Sequence, residues 1–264
     1  MSFEVHIAAI ERATITAVSP QAVDEWGDWL LPFDSGTVGR AKSAVPLVHD
    51  GLVPSMVPEI EARYAQRGFA AAFRLPDVAQ AEDLHAELLH RGYRREQPTL
   101  VQTADSRQVA ALAELHPRMP VAQIDAAPDA AWAALFLGEG FDPVDGHSRV
   151  QTLSRAQGTA FVSLRLPARP DPSNDAVQVH GATLAAGAGS FSHGWASAHG
   201  MRTALAYRGQ GLAGRVLAAI AQEALARGFA LMFLQVDQGN ASALALYQRA
   251  GFKTAWRYAY WRKA

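Results

Sequence analysis

The last third of the chain has the clearest pattern of apolar and polar positions. Apolar residues three or four positions apart predict a helix over residues 211–227; they are Leu212, Val216, Ile220 and Ala224. The other predicted elements are strands over 158–166, 177–186, 195–203, 231–236 and 253–261, a glycine-rich turn over 187–194 and a helix over 241–250. Strands that lead into helices and back into strands indicate a mixed α/β layer rather than a β-sandwich.

The first hundred residues predict a smaller α+β unit. Apolar side chains three positions apart at Val23, Trp26 and Trp29 predict a first helix over residues 21–31. Two later helices each end in a glycine, which readily adopts the left-handed conformation that terminates a helix. The later elements are helices ending at Gly68 and Gly92 and strands over 70–75 and 99–102.

Proline residues indicate where the two units separate. Pro117, Pro120 and Pro128 interrupt a segment that otherwise contains only a short predicted helix. We therefore expect a divergent α+β domain over residues 1–118 and a second domain over residues 119–264.

The composition excludes several classes of site and partner. The 264 residues contain no cysteine, so disulfides, thiolate metal sites and a cysteine nucleophile are excluded. A net charge of −1 gives no reason to expect nucleic acid or an anionic membrane. No apolar run could span a membrane, the first ten residues do not resemble a signal peptide, and no histidines have metal-ligand spacing. We expect a cytoplasmic protein without a bound metal.

A glycine-rich loop precedes the helix predicted over residues 211–227. Gly209, Gly211 and Gly214 fall within six residues, more than a simple turn requires. At the start of a helix, unpaired backbone N–H groups and the positive end of the helix dipole attract an anion, and glycines allow a phosphate to approach closely. The loop is therefore a candidate phosphate site.

The same three glycines also match the G-x-G-x-x-G pattern of dinucleotide-binding folds. Asp237 even stands at the end of the next strand, where a ribose partner would be expected. In those folds, however, the pattern normally opens the domain, and too few residues follow Gly214 to complete a doubly wound sheet. A nicotinamide-dependent oxidoreductase is therefore a distant alternative.

A second pattern, from Arg208 through Gly211 to Ala213, resembles the pyrophosphate motif of the GCN5-related N-acetyltransferases (GNAT family). A second family segment follows in the right order, with Asn240, Leu246-Tyr247 and Gly251-Phe252. The resemblance covers residues 161–264. It implies acetyl-CoA as co-substrate and a central mixed, mostly antiparallel sheet whose fourth and fifth strands, 195–203 and 231–236, splay apart.

The resemblance also extends weakly to the front of the chain. The order of helix, Gly92-Tyr93 and strand echoes the order of helix, Gly251-Phe252 and strand at the C-terminus. Some family members are tandem proteins with one silent half, so residues 1–118 are expected to be a degenerate copy or another α+β unit.

The resemblance assigns roles to individual residues of the C-terminal part. Tyr247 is the expected general acid toward the departing CoA thiolate, and its usual pKa of about 10 keeps it protonated. Asn240 would bind the pantetheine arm or cap the helix that follows it. The residues expected to contact the co-substrate are Met201 and Thr203 through their main chain, then Arg208, Gly209, Gln210, Gly211, Leu212, Ala213 and Gly214, and finally Asn240 and Tyr247.

The general base is the least defined part of the predicted site. Many family members have a glutamate on the fourth strand, but residues 195–203 contain no carboxylate. His199 shares a strand face with Trp195 and is the candidate base, with His193 or a carboxylate from the front part as alternatives. A polar cluster of Arg40, Lys42 and Ser43 is either a solvated turn or a wall of the acceptor pocket.

These patterns together predict an acetyl-CoA-dependent N-acetyltransferase that acts on the primary amine of a small molecule. Direct transfer in a ternary complex needs no covalent enzyme intermediate, which suits a chain without cysteine. The alternative from another class is a catalytically silent acyl-CoA-binding module. Either a monomer or a homodimer is compatible with the sequence. Residues 200–264 carry nine basic and two acidic side chains, a net +7 around the proposed phosphate loop.

Overall fold

A computed structural model describes residues 3–115, 120–167 and 181–263. The α-helices are α1 (Phe3–Val18), α2 (Met56–Gln66), α3 (Glu82–His90), α4 (Ser106–Ala110), α5 (Ala130–Ala134), α6 (Pro143–Arg155), α7 (Leu212–Ala226) and α8 (Ala241–Arg249). The strands are β1 (Ala22–Trp26), β2 (Trp29–Phe33), β3 (Val45–Pro46), β4 (Phe73–Pro76), β5 (Arg94–Asp105), β6 (Gln123–Asp125), β7 (Ala160–Arg165), β8 (Thr183–Ser192), β9 (Trp195–Thr203), β10 (Leu231–Asp237) and β11 (Lys253–Arg262).

A large sheet forms the centre of the fold. Its strand order is β4-β11-β5-β10-β9-β8-β7-β6, and β1, β2 and β3 form a small separate sheet. Within the described residues, β9 and β10 are the one parallel pair of the large sheet. The predicted mixed, mostly antiparallel central sheet is therefore confirmed.

Helix α7 packs directly against β8, and the glycines of β8 make room for its side chains. A Cβ atom added at Gly187 would lie 2.6 Å from the Met201 sulfur and 3.0 Å from Val216 Cγ1, and one at Gly189 would lie 2.9 Å from Ile220 Cγ2. The predicted glycine-rich turn over 187–194 was therefore wrong for residues 187–192, which belong to β8. The chain reverses only at residues 193–194. Of the strand predicted over 177–186, residues 177–180 lie outside the described residues, and β8 extends beyond its predicted end to residue 192.

The helix predicted over residues 21–31 is wrong. Those residues form the hairpin of β1 and β2, which turns at Gly27, a glycine with φ of 54°. The apolar residues that suggested helical spacing fall on both sides of this turn: Val23 is 40% exposed, whereas Trp29 is buried. Trp26 and Trp29 are three positions apart because a two-residue turn separates them, and this spacing is the same as that of neighbouring residues on a helix face.

Helix α1 was not predicted, although it covers one face of the sheet at β8 and β9. Its apolar residues Ile7, Ile10 and Ala13 are buried against the sheet. Glu11 is also buried, and both of its carboxylate oxygens accept hydrogen bonds from the guanidinium group of Arg74 on β4. No helix in the described part of the chain is long and apolar enough to cross a membrane.

Strand β5 joins the two predicted domains into one sheet. It lies between β10 and β11 and is antiparallel to both, with Leu234 opposite Gln102 and Arg257 opposite Leu100. Strand β11 in turn lies between β5 and β4. Each half of the chain thus donates its last strand to the other half. The boundary predicted between residues 118 and 119 lies outside the described residues and stays a prediction.

The two halves share a repeated arrangement of helix and strand. The order α2-β4-α3-β5 matches α7-β10-α8-β11, and the same tetrapeptide, Arg-Gly-Phe-Ala, follows α2 at residues 67–70 and α7 at residues 227–230. In both copies the glycine has a positive φ, and the next N–H bonds back into the helix, from Phe69 to Tyr64 and from Phe229 to Ala224. The front half therefore has the geometry of a second, incomplete copy.

The interleaved strands generate a prediction about fragments. A chain of residues 119–264 should not fold alone, because β10 and β11 would both lose β5, the strand that lies between them. Circular dichroism and urea unfolding should show no cooperative transition for this fragment. Mixing it with a fragment of residues 1–118 should restore one. A cooperative transition of the isolated fragment would show that β10 and β11 can pair directly and would support separate domains.

Candidate active site

Strands β9 and β10 pair over a short length and then separate. Their parallel pairing covers Met232 with Ala196, Phe233 with Ser197, and Leu234 with Ala198. Beyond this point β9 continues to pair with β8, and β10 continues to pair with β5. A gap therefore opens between them from His199 onward, where the sequence predicted the splay.

A β-bulge in β9 lies at the start of this gap. Gly200 and Met201 together oppose Gly187 of β8, so β9 carries one extra residue. Gly200 has a φ of 58°, and a Cβ atom there would lie 2.8 Å from Leu153 Cδ1, so the position requires glycine. Met201 packs on the side of the sheet that faces α7, and both Met201 and Thr203 line a cleft beside α7.

The glycine loop forms one wall of this cleft. Gly209 and Gly211 have positive φ values of 77° and 80°, and Gly211 is the N-cap of the 15-residue helix α7. No side chain caps the helix, so the N–H groups of its first turn remain available to a ligand. The residues predicted for this loop that line the cleft are Arg208, Gly209, Gly211, Leu212, Ala213 and Gly214. Gln210 does not line it.

Helix α8 forms the opposite wall. Asn240 caps it, since its Oδ1 accepts a hydrogen bond from the N–H of Ala243 at 3.2 Å. The capping role predicted for Asn240 is thus observed, and the residue also lines the cleft. Gly214 of α7 faces Leu246 of α8, since a Cβ atom added there would lie 3.4 Å from Leu246 Cδ1.

The cleft has a volume of about 590 Å³ and is positively charged. Arg202, Arg208 and Arg249 line it, and no carboxylate does so among the described residues. The Arg202 guanidinium lies 4.3 Å from the ring centre of Phe141, which holds it in place. Three cations, free helix N–H groups and glycines suit a ligand that carries several phosphates.

Tyr247 lies at the floor of the cleft. It is 8% exposed and packs edge-on against Phe252, with 5.8 Å between ring centres. Burial raises the pKa of Tyr247 to about 12, so the hydroxyl keeps its proton at neutral pH. Such a group can donate a proton to a leaving group in the cleft.

His199 lies at the start of the gap on the other face of the sheet. Its ring and that of Trp195 both contact Phe233, which confirms that His199 and Trp195 share one face of β9. Nε2 lies 2.7 Å from Ser197 Oγ, whereas Nδ1 is buried and has no hydrogen-bond partner in the described structure. Burial, aided by the charge of Arg40, lowers the pKa of His199 to about 3. The imidazole is therefore neutral at pH 7 and holds an extra proton poorly.

The alternative base, His193, lies at the far end of β9 in the turn after β8. It has a positive φ of 50°, and its Nε2 is 3.4 Å from Thr16 Oγ1. This turn is separated from the bulge at Gly200 by most of the strand. His193 is therefore far from the gap.

A larger cavity of about 1110 Å³ lies on the face of the sheet opposite the cleft. Tyr258 and Tyr260 line it and belong to the apolar cluster beneath α1, whereas Tyr247 belongs to the cluster beneath α7. Its other walls are the loop over residues 34–42, the segment over 69–72 and the end of β10. Arg40 and Lys42 line this cavity, but Ser43 is buried beside it and does not.

Gln235 links these walls and was missed by the sequence analysis. Its Nε2 donates to Thr14 Oγ1 on α1 at 2.8 Å, and its Oε1 accepts from the Tyr258 hydroxyl at 2.9 Å. Arg40 is 3.4 Å from the same oxygen. The available signal was a single polar residue within the otherwise apolar run over 231–236.

Comparison with known proteins identifies relatives along nearly the whole chain. The model of a family described as "Probable histone acetyltransferase Rv0428c C-terminal" matches residues 5–261. No protein of curated function matches the sequence.

Several solved structures have the same fold at low sequence identity. A GCN5-related N-acetyltransferase from Kribbella flavida has a TM-score of 0.65 at 19% identity, covering 97% of this chain and 95% of the other. A tandem GNAT protein from the clavulanic acid biosynthesis pathway has a TM-score of 0.57 at 14% identity, covering 99% and 96%. A protein of unknown function from Staphylococcus epidermidis has a TM-score of 0.64 at 10% identity, covering 93% and 94%.

The buried imidazole predicts a pH-dependent stability. Between pH 6.5 and 3 the unfolded chain binds a proton at His199 that the folded chain does not, so stability falls as the pH is lowered through this range. His199→Gln, which can still bond Ser197, should reduce the slope by up to about 1.4 kcal/mol per pH unit in urea unfolding. His90→Gln, the same change at an exposed site, is the control. An unchanged slope for His199→Gln would show that burial does not keep this ring neutral.

Proposed function

The chain belongs to the family described as probable histone acetyltransferase Rv0428c C-terminal, and from this premise we propose that it transfers an acetyl group from acetyl-CoA directly to the primary amine of a small molecule. One observation carries the proposal: a cationic cleft and a large cavity lie on opposite faces of the sheet where β9 and β10 separate. Two substrates can thus approach one gap from two sides. Such positioning alone can supply about 7–11 kcal/mol of the barrier.

The cleft residues suit acetyl-CoA. The free N–H groups at the start of α7, with Arg208 and the glycines of the loop, would bind the pyrophosphate. Main-chain groups of Met201 and Thr203 lie along the edge of β9 that β10 leaves unpaired, and would bind the pantetheine arm and the thioester oxygen.

Tyr247 is proposed as the general acid. The amine nitrogen attacks the carbonyl carbon of the thioester, the carbon–sulfur bond breaks, and the thiolate takes the proton of the Tyr247 hydroxyl. Solvent then returns a proton to the tyrosinate. Burial supports this role because it keeps the hydroxyl protonated until a strong base forms beside it.

The proton lost by the amine needs an acceptor, and His199 remains the candidate. A cavity of about 20 Å³ beside it, between Arg40 and Gly200, has room for about one water molecule. With a pKa of about 3, His199 would not stay protonated, so a proton that it accepts would move on to water.

Asp237, an exposed carboxylate on the large cavity, is the alternative proton acceptor. Loss of the acidic limb of the pH–rate profile, where the rate falls as the base takes up a proton, in Asp237→Asn but not in His199→Gln would favour Asp237.

Co-substrate binding can be tested with two matched glycine variants. Gly209 and Gly228 both have positive φ, and a Cβ atom would contact nothing at either position, but only Gly209 lines the cleft. Gly209→Ala should raise the Kd for acetyl-CoA about tenfold in calorimetry. An alanine in the left-handed conformation that the loop adopts costs about 1–2 kcal/mol. Gly228→Ala should bind normally. Binding of NAD in place of acetyl-CoA by the parent protein would overturn the proposal.

The catalytic role of Tyr247 can be tested by removing its hydroxyl. Tyr247→Phe should lower kcat about 100-fold or more and leave acetyl-CoA affinity nearly intact, because only proton donation is lost. Release of free CoA with a panel of amines is the measurement. Tyr207→Phe, which removes a hydroxyl from the same cleft, should lower kcat far less. Equal effects would remove Tyr247 from the mechanism, and tight acetyl-CoA binding without turnover of any amine would favour a silent binding module.

A further inference from the structure

The charges around the large cavity are unevenly neutralised. Five cations and three carboxylates line it: Arg40, Lys42, Arg149, Arg262 and Lys263, with Asp34, Glu61 and Asp237. Most of these groups already have partners of opposite charge. The ion pairs are Arg149 with Asp145 at 2.6 Å, Arg262 with Glu96 at 3.0 Å, Lys263 with Glu61 at 2.7 Å, and Asp34 with Arg155.

Three of these groups, Arg40, Lys42 and Asp237, form no ion pair with any residue that the structure describes, which leaves an unpaired excess of one positive charge. Arg40 and Lys42 are the two unpaired cations. Both are half-buried. The nearest polar partner of Arg40 is the uncharged Gln235 oxygen at 3.4 Å, a long contact for a guanidinium group. Two partly desolvated cations without a counter-ion are costly unless a ligand supplies the negative charge.

Arg40 is also placed close to the proposed point of reaction. It lines both the large cavity and the small cavity beside His199 and Gly200. Its charge contributes, after burial, to the low pKa of His199. An anion bound by Arg40 would therefore sit near the start of the gap between β9 and β10.

The loop that carries the two cations is held rigidly by α6. Thr37 donates its backbone N–H to Ser148 Oγ at 2.8 Å and its hydroxyl to Asp145 at 2.7 Å. Gly39 lets the loop pass close to β11, because a Cβ atom there would lie 2.8 Å from Tyr260 and from Arg262. The site is thus organised before a ligand arrives, which lowers the entropic cost of binding.

We propose that the acceptor amine carries an anionic group, a carboxylate or a phosphate, which Arg40 and Lys42 bind; this rests on the function proposed above. A lysine side chain in a basic peptide is disfavoured, because it would bring further positive charge to a cavity that already has an unpaired excess. The acceptor chemistry thus differs from the histone substrate that the family description names.

Matched pairs of amines test the proposal. Each pair shares one amine and differs in the anion: an amino acid and its amide, and an aminoalkyl phosphate and the corresponding amino alcohol, with a lysine-rich peptide as a fifth probe. The anionic member should have the higher kcat/KM in at least one pair, and the pair that responds identifies carboxylate or phosphate. Equal or better turnover of the neutral members or of the peptide would overturn the proposal.

Variants assign the effect to the two cations. Arg40→Gln and Lys42→Gln should each raise KM for the anionic amine about 10- to 100-fold, the loss of one charged hydrogen bond, and should change KM for its neutral partner little. Arg40→Lys, which keeps the charge, should recover part of the loss and shows that folding is intact. Arg107→Gln, an exposed arginine that lines neither cavity, is the control. A loss that is the same for both members of a pair would contradict the proposal.

Failure of the proposed function is distinguishable from failure of this inference. If no amine releases CoA, calorimetric binding of the same matched pairs decides the inference separately. Preferential binding of the anionic member, lost in Arg40→Gln, would support an anion site in a protein that does not acetylate these amines. Binding without preference, or no binding of either member, would overturn it.

Discussion

The geometry of the whole site depends on the short parallel contact between β9 and β10. Three residue pairs hold these strands together, and the extra residue at Gly200 then directs β9 away from its neighbour. Backbone groups that would pair in a continuous sheet become available to a ligand in the gap. The cleft beside α7 and the cavity beneath the loop over 34–42 flank this interruption, so a change that closed it would remove the route between them.

Close packing around the interruption explains the glycines on both sides of it. Gly187 and Gly189 let α7 lie against β8, which places the first turn of α7 at the mouth of the cleft. The sequence predicted α7, α8, β9, β10 and β11 almost to the residue, because each has a strong period and a clear stop. It misplaced β8, because glycines that serve packing look the same in a sequence as glycines that serve a turn. Only the partner atoms, such as Ile220, distinguish the two.

The front half was harder to predict, because its parts depend on contacts with distant segments. Strand β5 has mostly exposed residues at its start and is stabilised by β10 and β11, more than 120 residues later.

The repeat itself can be read from the sequence, since the tetrapeptide at residues 67–70 recurs at 227–230. The backbone N–H of Tyr93 donates to the carbonyl of Leu88, just as the N–H of Phe252 donates to the carbonyl of Tyr247. Leu88 of the front half therefore corresponds to Tyr247 of the second half. Asp28 and Asp50 line the pocket near the start of α2. As far as the structure describes it, the front half therefore lacks the hydroxyl, the glycine loop and a positive site for phosphate.

In the function proposed above, the front half forms much of the acceptor side. It supplies Arg40, Lys42 and the segment over 69–72, while the second copy supplies Gln235 and the ends of β10 and β11. The basic excess over residues 200–264 is likewise divided between the two faces: Arg202 and Arg208 line the cleft, but Arg262 and Lys263 line the cavity and are neutralised there by acidic residues of the front half. The net charge of that segment is therefore not a property of the cleft alone. On the proposed acceptor side, the two unpaired cations come from a loop that no periodic pattern marks, because only the fold brings them to the gap.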